Sequence, residues 1–104
     1  MDATGFFDPA VETMPREEIR SLQWNKLRAM LDQIYGRNRF YTAKLQAAGV
    51  APRDVRSFDD LQRLPLTTKR ELVQAQADAP PFGTNATFGE AAYTRLHQTS
   101  GTTG

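Results

Sequence analysis

The final stretch of the sequence carries the pattern with the clearest chemistry. It reads Thr99-Ser100-Gly101-Thr102-Thr103-Gly104. Glycine permits backbone conformations that other residues resist, so successive N–H groups can converge on an anion, while serine and threonine hydroxyls add donors. The pattern predicts a phosphate-binding loop, with an unstructured tail as the alternative. It is not a Walker loop, because that motif needs a lysine after its last glycine.

A β-strand is predicted immediately before this loop, over residues 92–98. Two sets of side chains alternate there, as in a strand with two different faces: Tyr93, Arg95 and His97 against Thr94, Leu96 and Gln98.

His97 is the only histidine, but no carboxylate can be paired with it for general acid–base catalysis. A packing or hydrogen-bonding role is favoured for His97, and the sequence predicts no catalytic residue.

A long amphipathic helix is the clearest element upstream. Pro15 suits a first helical position and Gly36 supplies a stop, which predicts a helix of about 20 residues between them. Glu17 and Glu18 place carboxylates in its first turn, where the helix dipole favours them. Its apolar positions recur at helical spacing: Ile19, Leu22, Trp24, Leu27, Met30, Leu31 and Ile34. We expect this face to pack in a core, with partner binding as the alternative.

Residues 35–44 combine cations with aromatic side chains, which are the ingredients of a single-stranded nucleic-acid site. A simpler interpretation is a helix stop followed by a restart. Asn38 can cap a second helix, and Gly49 can close it in the left-handed conformation. The aromatic side chains then serve the core, and no nucleic-acid partner is predicted.

Two further short helices are predicted from the spacing of capping boxes. Ser57 is followed by Asp60, and Thr68 is followed by Glu71. The helices predicted from these pairs cover residues 58–63 and 69–77. Asp59 and Asp60 are not predicted to bind a metal, because adjacent helical side chains diverge. Pro80-Pro81 ends the helical region, and residues 82–89 are predicted to form a loop.

Composition excludes several classes of protein. The chain has 104 residues with 13 basic and 12 acidic side chains, for a net charge of +1, so no overall charge draws it to nucleic acid or to an anionic membrane. It has no cysteine, hence no disulfide, thiol nucleophile or cysteine-based metal site. No apolar run approaches the roughly 18 residues that would span a bilayer, and a cytoplasmic location is predicted.

Several segments, in order, resemble the N-terminal region of the phenylacetate–CoA ligases, which belong to the adenylate-forming acyl-CoA synthetases. The resemblance runs from about residue 8 to the end of the sequence. The segments that carry it are Pro15-Arg16-Glu17-Glu18-Ile19-Arg20, Arg39-Phe40-Tyr41, Ala48-Gly49-Val50, Phe58-Asp59-Asp60-Leu61, Leu64-Pro65-Leu66-Thr67-Thr68-Lys69, Pro81-Phe82-Gly83 and residues 95–104. Each early segment alone is only weakly specific for this family, whereas the occurrence of all of them in the same order is strong evidence of the resemblance.

The resemblance implies an enzyme that uses ATP, Mg²⁺ and coenzyme A. A carboxylic acid, expected to be aryl, attacks the α-phosphate of ATP, and the thiol of coenzyme A then captures the acyl adenylate. In that family the Ser/Thr/Gly loop holds the ATP phosphates. Here Ser100, Thr102 and Thr103 would supply the hydroxyl donors. Gly101 and Gly104 would let the backbone approach the phosphates, and Thr99 would lead into the turn. The lysine and proline that usually follow this loop in the family are absent.

The fold expected from the resemblance is an incomplete domain. Residues 1–83 form an α-rich N-terminal helical subdomain, and residues 84–104 form a loop, a strand and the phosphate loop of a truncated AMP-binding domain in an α/β core. The adenine, ribose and acyl sites lie downstream in the family, so this piece is expected to be inactive without the rest of the ligase chain. Homodimerisation is a further possibility. The alternative function is a non-catalytic helical interaction module.

Overall fold

The computed structural model describes residues 5–98. Helix α1 covers Pro9–Glu12, α2 covers Arg16–Ile34, α3 covers Arg39–Ala47 and α4 covers Lys69–Asp78. Short 3-10 helices cover Pro52–Asp54, Phe58–Arg63 and Glu90–Ala92. The described part of the chain contains no β-strand, so the α-rich architecture expected for the N-terminal region is confirmed.

The long helix and its stop are confirmed. Helix α2 begins directly after Pro15 and ends one residue before Tyr35, whose backbone is extended. Gly36 follows with φ +86°, a left-handed conformation that glycine adopts without steric cost. The apolar face of α2 is only partly buried: Leu31 lies in the core, whereas Met30 is 50% exposed.

The cap of helix α3 is also as predicted. The side-chain Oδ1 of Asn38 accepts a hydrogen bond from the N–H of Tyr41 at 3.0 Å. At the other end Gly49 has φ +71°, and the N–H of Val50 donates to the carbonyl of Leu45. Helices α2 and α3 are therefore separated by a short turn that contains Gly36 and Asn38.

The core is small and lies between α2 and the segment after α3. Leu31, Val50 and Val55 are its buried members, and Trp24 is among the half-buried side chains packed against them. The Nη1 of Arg28 donates to the carbonyls of Pro52 and Val55 and ties this segment to α2. These contacts position the 3-10 helix Pro52–Asp54 against α2.

One of the two predicted capping boxes forms. Thr68 Oγ1 accepts from the N–H of Glu71, and Glu71 Oε2 accepts from the N–H of Thr68 at 2.7 Å. The other does not form, because Ser57 makes no side-chain capping bond. The carboxylate of Asp60 instead accepts from the N–H of Arg56 at 2.8 Å. The helix predicted there is present as the 3-10 helix Phe58–Arg63.

The strand predicted over 92–98 is not formed in the described residues. The 3-10 helix Glu90–Ala92 occupies its start, and residues 94–98 take part in no backbone hydrogen bond within the described range. A strand is held by hydrogen bonds to a neighbouring strand, and the described residues offer no second strand. Pairing of this segment in a larger sheet remains a prediction.

The turn after α4 is packed closely against that helix. Gly83 has φ +76°, and a Cβ placed on it would lie 3.1 Å from the backbone nitrogen of Gln76. The N–H of Gly83 donates to the carbonyl of Ala79 at 2.7 Å, and the Gln76 side chain donates to the carbonyl of Pro81. The Pro80-Pro81 peptide bond is cis. The turn thus directs the chain from α4 back towards α3.

Gly83→Ala is expected to destabilise the chain, because alanine would meet both the left-handed backbone and the close approach to α4. The left-handed conformation alone costs about 1–2 kcal/mol for a residue with a Cβ. Urea unfolding followed by circular dichroism measures the loss. Gly89→Ala is the matched control, since Gly89 has φ −64° and a Cβ added to it would meet no atom within 4 Å. Equal stability of the two variants would contradict the prediction.

The fold is elongated and leaves much apolar surface exposed. Its radius of gyration is 17.4 Å, whereas a compact domain of this length has about 13 Å. Phe7 is 92% exposed and Leu66 is 89% exposed. Among residues 5–98, exposed large apolar side chains outnumber the buried hydrophobic residues, which are Leu31, Phe40, Leu45, Val50 and Val55. No described helix is both long enough and apolar enough to cross a membrane.

Candidate functional site

The predicted phosphate loop, Thr99–Gly104, lies outside the described residues. The structure does describe the segment that leads to it, residues 84–98. This segment has little secondary structure of its own, so side-chain and backbone contacts with other parts of the chain determine its path. These contacts involve the start of α3 and the side chain of Tyr93.

Asn38 connects the α2–α3 turn to this segment. Its side-chain Nδ2 donates to Asn85 Oδ1 at 3.0 Å and to Thr87 Oγ1 at 3.3 Å. The backbone N–H of Phe40 also donates to the carbonyl of Thr84 at 3.3 Å. The capping role of Asn38 was predicted from the sequence, whereas its contacts with residues 85 and 87 were not.

Tyr93 makes the second set of contacts. Its Oη accepts from the backbone N–H groups of Thr87 and Phe88, at 3.0 and 3.1 Å. Its ring lies 6.3 Å from that of Phe88, centroid to centroid. One phenol oxygen therefore accepts hydrogen bonds from two backbone N–H groups that have no partner strand. These bonds connect the two ends of the loop formed by residues 87–93.

The other residues considered in the sequence are not brought into a reactive cluster. His97 is exposed. Within residues 5–98, no group of three or more His, Cys, Asp or Glu side chains is arranged to hold a metal ion. A shallow groove of about 290 Å³ lies beside Arg20, Trp24 and Phe58, where the guanidinium of Arg20 stacks 4.7 Å above the Phe58 ring.

An ion pair joins α3 to α4. Lys44 Nζ lies 2.6 Å from Glu71 Oε1 and donates to the carbonyl of Leu66, also at 2.6 Å. The hydrogen bond from Lys44 and the backbone N–H of Thr68 lower the pKa of the Glu71 carboxyl below its ordinary value. Lys44 is thus a structural cation here, since its donors are directed at groups within the chain.

The pH dependence of unfolding is expected to report this ion pair. A carboxyl whose pKa is lowered in the folded state stabilises that state above its ordinary pKa of 4.5, and the contribution is lost as pH falls through the lowered value. Glu71→Gln should therefore be less stable than the unmodified chain at pH 7, with the difference shrinking below about pH 4. Urea unfolding across pH measures it.

Glu18→Gln, at an exposed carboxylate in α2, serves as the control and should leave that pH dependence in place. A constant difference between the Glu71→Gln variant and the unmodified chain from pH 7 to pH 3 would contradict the assignment.

No family model matches the chain. Curated relatives do match it along most of its length. The phenylacetate–coenzyme A ligase of Thermus thermophilus is 41% identical over 98 residues, which cover 94% of this chain and 21% of the relative. The phenylacetate–coenzyme A ligase of Escherichia coli is 40% identical over 97 residues, which cover 93% of this chain and 21% of the relative. The chain therefore spans about a fifth of the length of these relatives.

Solved structures of 2-hydroxyisobutyryl-CoA ligase have the same fold in the region they share with this chain. One, in complex with 2-HIB-AMP and CoA in the thioesterification state, is 31% identical, covers 100% of this chain and 22% of its own, and has a TM-score of 0.88. Another, in the postadenylation state with 2-HIB-AMP, is 28% identical with a TM-score of 0.87. On sequence and on fold, the chain belongs to the phenylacetate–CoA ligase family of adenylate-forming enzymes.

Proposed function

We propose that this chain is the N-terminal helical region and phosphate loop of an AMP-forming acid–CoA ligase. In the reaction, a carboxylate attacks the α-phosphate of ATP and releases pyrophosphate. The thiol of coenzyme A then attacks the acyl carbon of the adenylate and releases AMP. The observation that carries the proposal is the match of the whole chain, at TM-score 0.88, to a ligase structure that holds an acyl adenylate and CoA.

The loop Thr99–Gly104 is proposed to hold the ATP phosphates. The hydroxyls of Ser100, Thr102 and Thr103 donate to phosphate oxygens, while Gly101 and Gly104 let backbone N–H groups approach them. Adenylyl transfer depends mainly on positioning and on neutralising charge, so such donors have a direct effect on rate. We assign Mg²⁺ the role of neutralising charge on the same phosphates.

We propose an aryl acid as the substrate class, with phenylacetate as the first choice. Four curated phenylacetate–coenzyme A ligases are 34–41% identical to this chain, compared with 31% for the 2-hydroxyisobutyryl-CoA ligase structure. Because the chain spans about a fifth of these relatives, the remaining groups that bind acid and nucleotide must come from other sequence, and the chain alone is inactive. A cytoplasmic location belongs to the same proposal, since ATP and coenzyme A are available there.

The exposed apolar side chains support packing against the rest of a ligase chain. They are spread over the described residues, from Phe7 near the start to Leu96 near the end. The buried core of the described residues is small, so burying these side chains against further sequence would add stability. We place the boundary between the helical subdomain and the segment of the AMP-binding domain after residue 83, where the turn that follows α4 is complete.

The same exposed surface is what favours the second candidate function, a helical interaction module without catalysis. A module of that kind would bind a partner or a second copy of itself through this surface, and nucleotide would not affect it. The two functions differ in whether the chain can support adenylation when joined to the remainder of a ligase.

A hybrid ligase tests the proposal. It carries this chain in place of the matching region of the Thermus thermophilus phenylacetate–coenzyme A ligase. We expect the hybrid to form phenylacetyl-CoA from phenylacetate, ATP and coenzyme A, and the 104-residue chain alone to form none. A folded hybrid without thioester formation, together with tight self-association of the chain that ATP does not alter, would favour the interaction module.

A further inference from the structure

The shallow groove beside α2 has the size and the lining of a small ligand site. Its volume is about 290 Å³, and it is lined by Arg20, Trp24, Arg56, Ser57, Phe58 and Asp59. Small-molecule sites in proteins are concave, combine aromatic surface with a few polar groups, and start at roughly 300 Å³. The groove therefore has about the volume that a single-ring compound needs.

Trp24 and Phe58 form the aromatic wall of this groove. Their rings meet edge to face, with centroids 5.6 Å apart and planes 67° apart. The Arg20 guanidinium lies 4.7 Å from the centroid of the Phe58 ring, so this cation is stacked on the same wall. Trp24 also packs against the small core next to α2. The core therefore holds the wall in place, and an aromatic ligand can pack against it without rearranging the chain.

The polar groups of the groove have donors that the chain does not use. Within residues 5–98, the side chains of Arg20 and Arg56 donate no hydrogen bond and form no ion pair. Arg28 and Arg63, by contrast, donate to backbone carbonyls. Ser57 makes no side-chain capping bond. Two guanidinium groups and one hydroxyl are therefore available to a ligand in the groove.

The charges around the groove favour a carboxylate over other anions. Arg20 and Arg56 contribute two positive charges and Asp59 contributes one negative charge, which leaves one net positive charge. A guanidinium can pair with a carboxylate through two parallel hydrogen bonds. A phosphate monoester brings a second negative charge, which Asp59 would repel. A singly charged acid that carries an aromatic ring thus matches both the charge of the groove and its wall.

We infer that this groove binds a small aromatic carboxylate, with the ring against Trp24 and the carboxylate on Arg20 and Arg56. The groove shares no residue with the loop Thr99–Gly104, so the inference goes beyond the proposed function and does not depend on it. Because the groove is shallow, part of the ligand stays in water. We expect a dissociation constant of about 1–10 mM, which a ligand of this size reaches at ordinary efficiency per atom.

The fluorescence of Trp24 reports directly on the groove, because Trp24 is the only tryptophan in the chain. Phenylacetate is titrated into the 104-residue chain at constant ionic strength, and a saturable change is expected. Acetate supplies the charge without the ring, and phenylacetamide supplies the ring without the charge. Each should bind at least about fivefold more weakly. A response that does not saturate, or inorganic phosphate or acetate binding as tightly as phenylacetate, would overturn the inference.

Two arginine variants test whether the guanidinium groups bind the carboxylate. Arg20→Gln and Arg56→Gln should each raise the dissociation constant of phenylacetate by about threefold to tenfold, as expected for charge-assisted hydrogen bonds at an exposed site. Arg53→Gln is the matched control, because Arg53 is an exposed arginine nearby in the chain that does not line the groove. It should bind phenylacetate as the unmodified chain does. An equal loss in all three variants, or no loss in any, would overturn the inference.

Amide chemical shifts locate the ligand on the chain. Saturating phenylacetate should shift the amide signals of residues 56–59 and leave those of α3 unchanged. Shifts that are largest outside the groove would overturn the inference. The hybrid ligase tests the proposed function separately, since a hybrid that forms no thioester leaves this binding result intact. In the same way, a chain whose groove binds no phenylacetate can still support thioester formation in the hybrid.

Discussion

Removing the hydroxyls of the phosphate loop is expected to reduce the hybrid ligase's kcat by at least about 100-fold, the loss seen when a single preorganised donor is removed from a charged transition state. The triple substitution is Ser100→Ala, Thr102→Val and Thr103→Val. It preserves side-chain volume approximately and deletes only donors. Phenylacetyl-CoA formation at saturating ATP measures the effect.

The control for this loss is Ser21→Ala, which deletes an exposed hydroxyl on α2. It should leave kcat unchanged. Restoring single hydroxyls should recover activity in steps, and the largest step identifies the donor that contributes most. A triple variant that retains full activity would show that the loop does not bind the reacting phosphates, and would remove the site assignment.

Leu31→Ala is expected to have the largest effect on stability. Leu31 is 3% exposed and lies in a core whose other buried members are Val50 and Val55. Truncating a buried leucine costs about 2–5 kcal/mol, which is a large share of the roughly 5–15 kcal/mol of a typical domain. The urea midpoint of the 104-residue chain should fall by about 2 M or more, or the cooperative transition should vanish.

Met30→Ala is the adjacent control, because Met30 lies on the same helix and is 50% exposed. It removes a comparable number of atoms without opening a cavity in the core, so it should cost well under half as much. If Met30→Ala were as destabilising as Leu31→Ala, the core would include the face of α2 that the structure leaves exposed.

Local signals in the sequence predicted most of the helical architecture. Pro15 and Gly36 delimit α2, and the pair Thr68 and Glu71 forms the capping box that begins α4. Each of these signals works through contacts between residues a few positions apart, which a sequence displays directly. The short helix Pro9–Glu12, capped by Asp8, was missed although it carries the same kind of signal.

Two predictions were wrong: the capping box at Ser57 and the strand over residues 92–98. The first depended on a choice between neighbouring donors, and the second depended on residues far away in the sequence. The Asp60 carboxylate accepts from the N–H of Arg56 and forms no capping box with Ser57. The spacing of residues in the sequence does not show which of these two neighbouring positions Asp60 will contact. A strand over 92–98 needs a partner strand, which the described residues do not supply.

The contacts that hold residues 85–93 could not be predicted from the sequence either. Asn38 and Thr87 are 49 positions apart, and nothing in their local patterns links them. The sequence indicated the loop by its residue types and by a family resemblance, but the means of holding the preceding segment became visible only when α3 and residues 84–93 were placed together.

Phenylacetate-dependent exchange of pyrophosphate into ATP, measured in the hybrid ligase without coenzyme A, tests the central claim most directly. Exchange requires acid, ATP and a functional phosphate loop, but not the thioester step. We predict exchange that depends on phenylacetate and Mg²⁺ and that the triple loop variant loses. A folded hybrid that shows no exchange, while the parent Thermus thermophilus ligase does, would contradict the claim that this chain supplies the phosphate loop of an acid–CoA ligase.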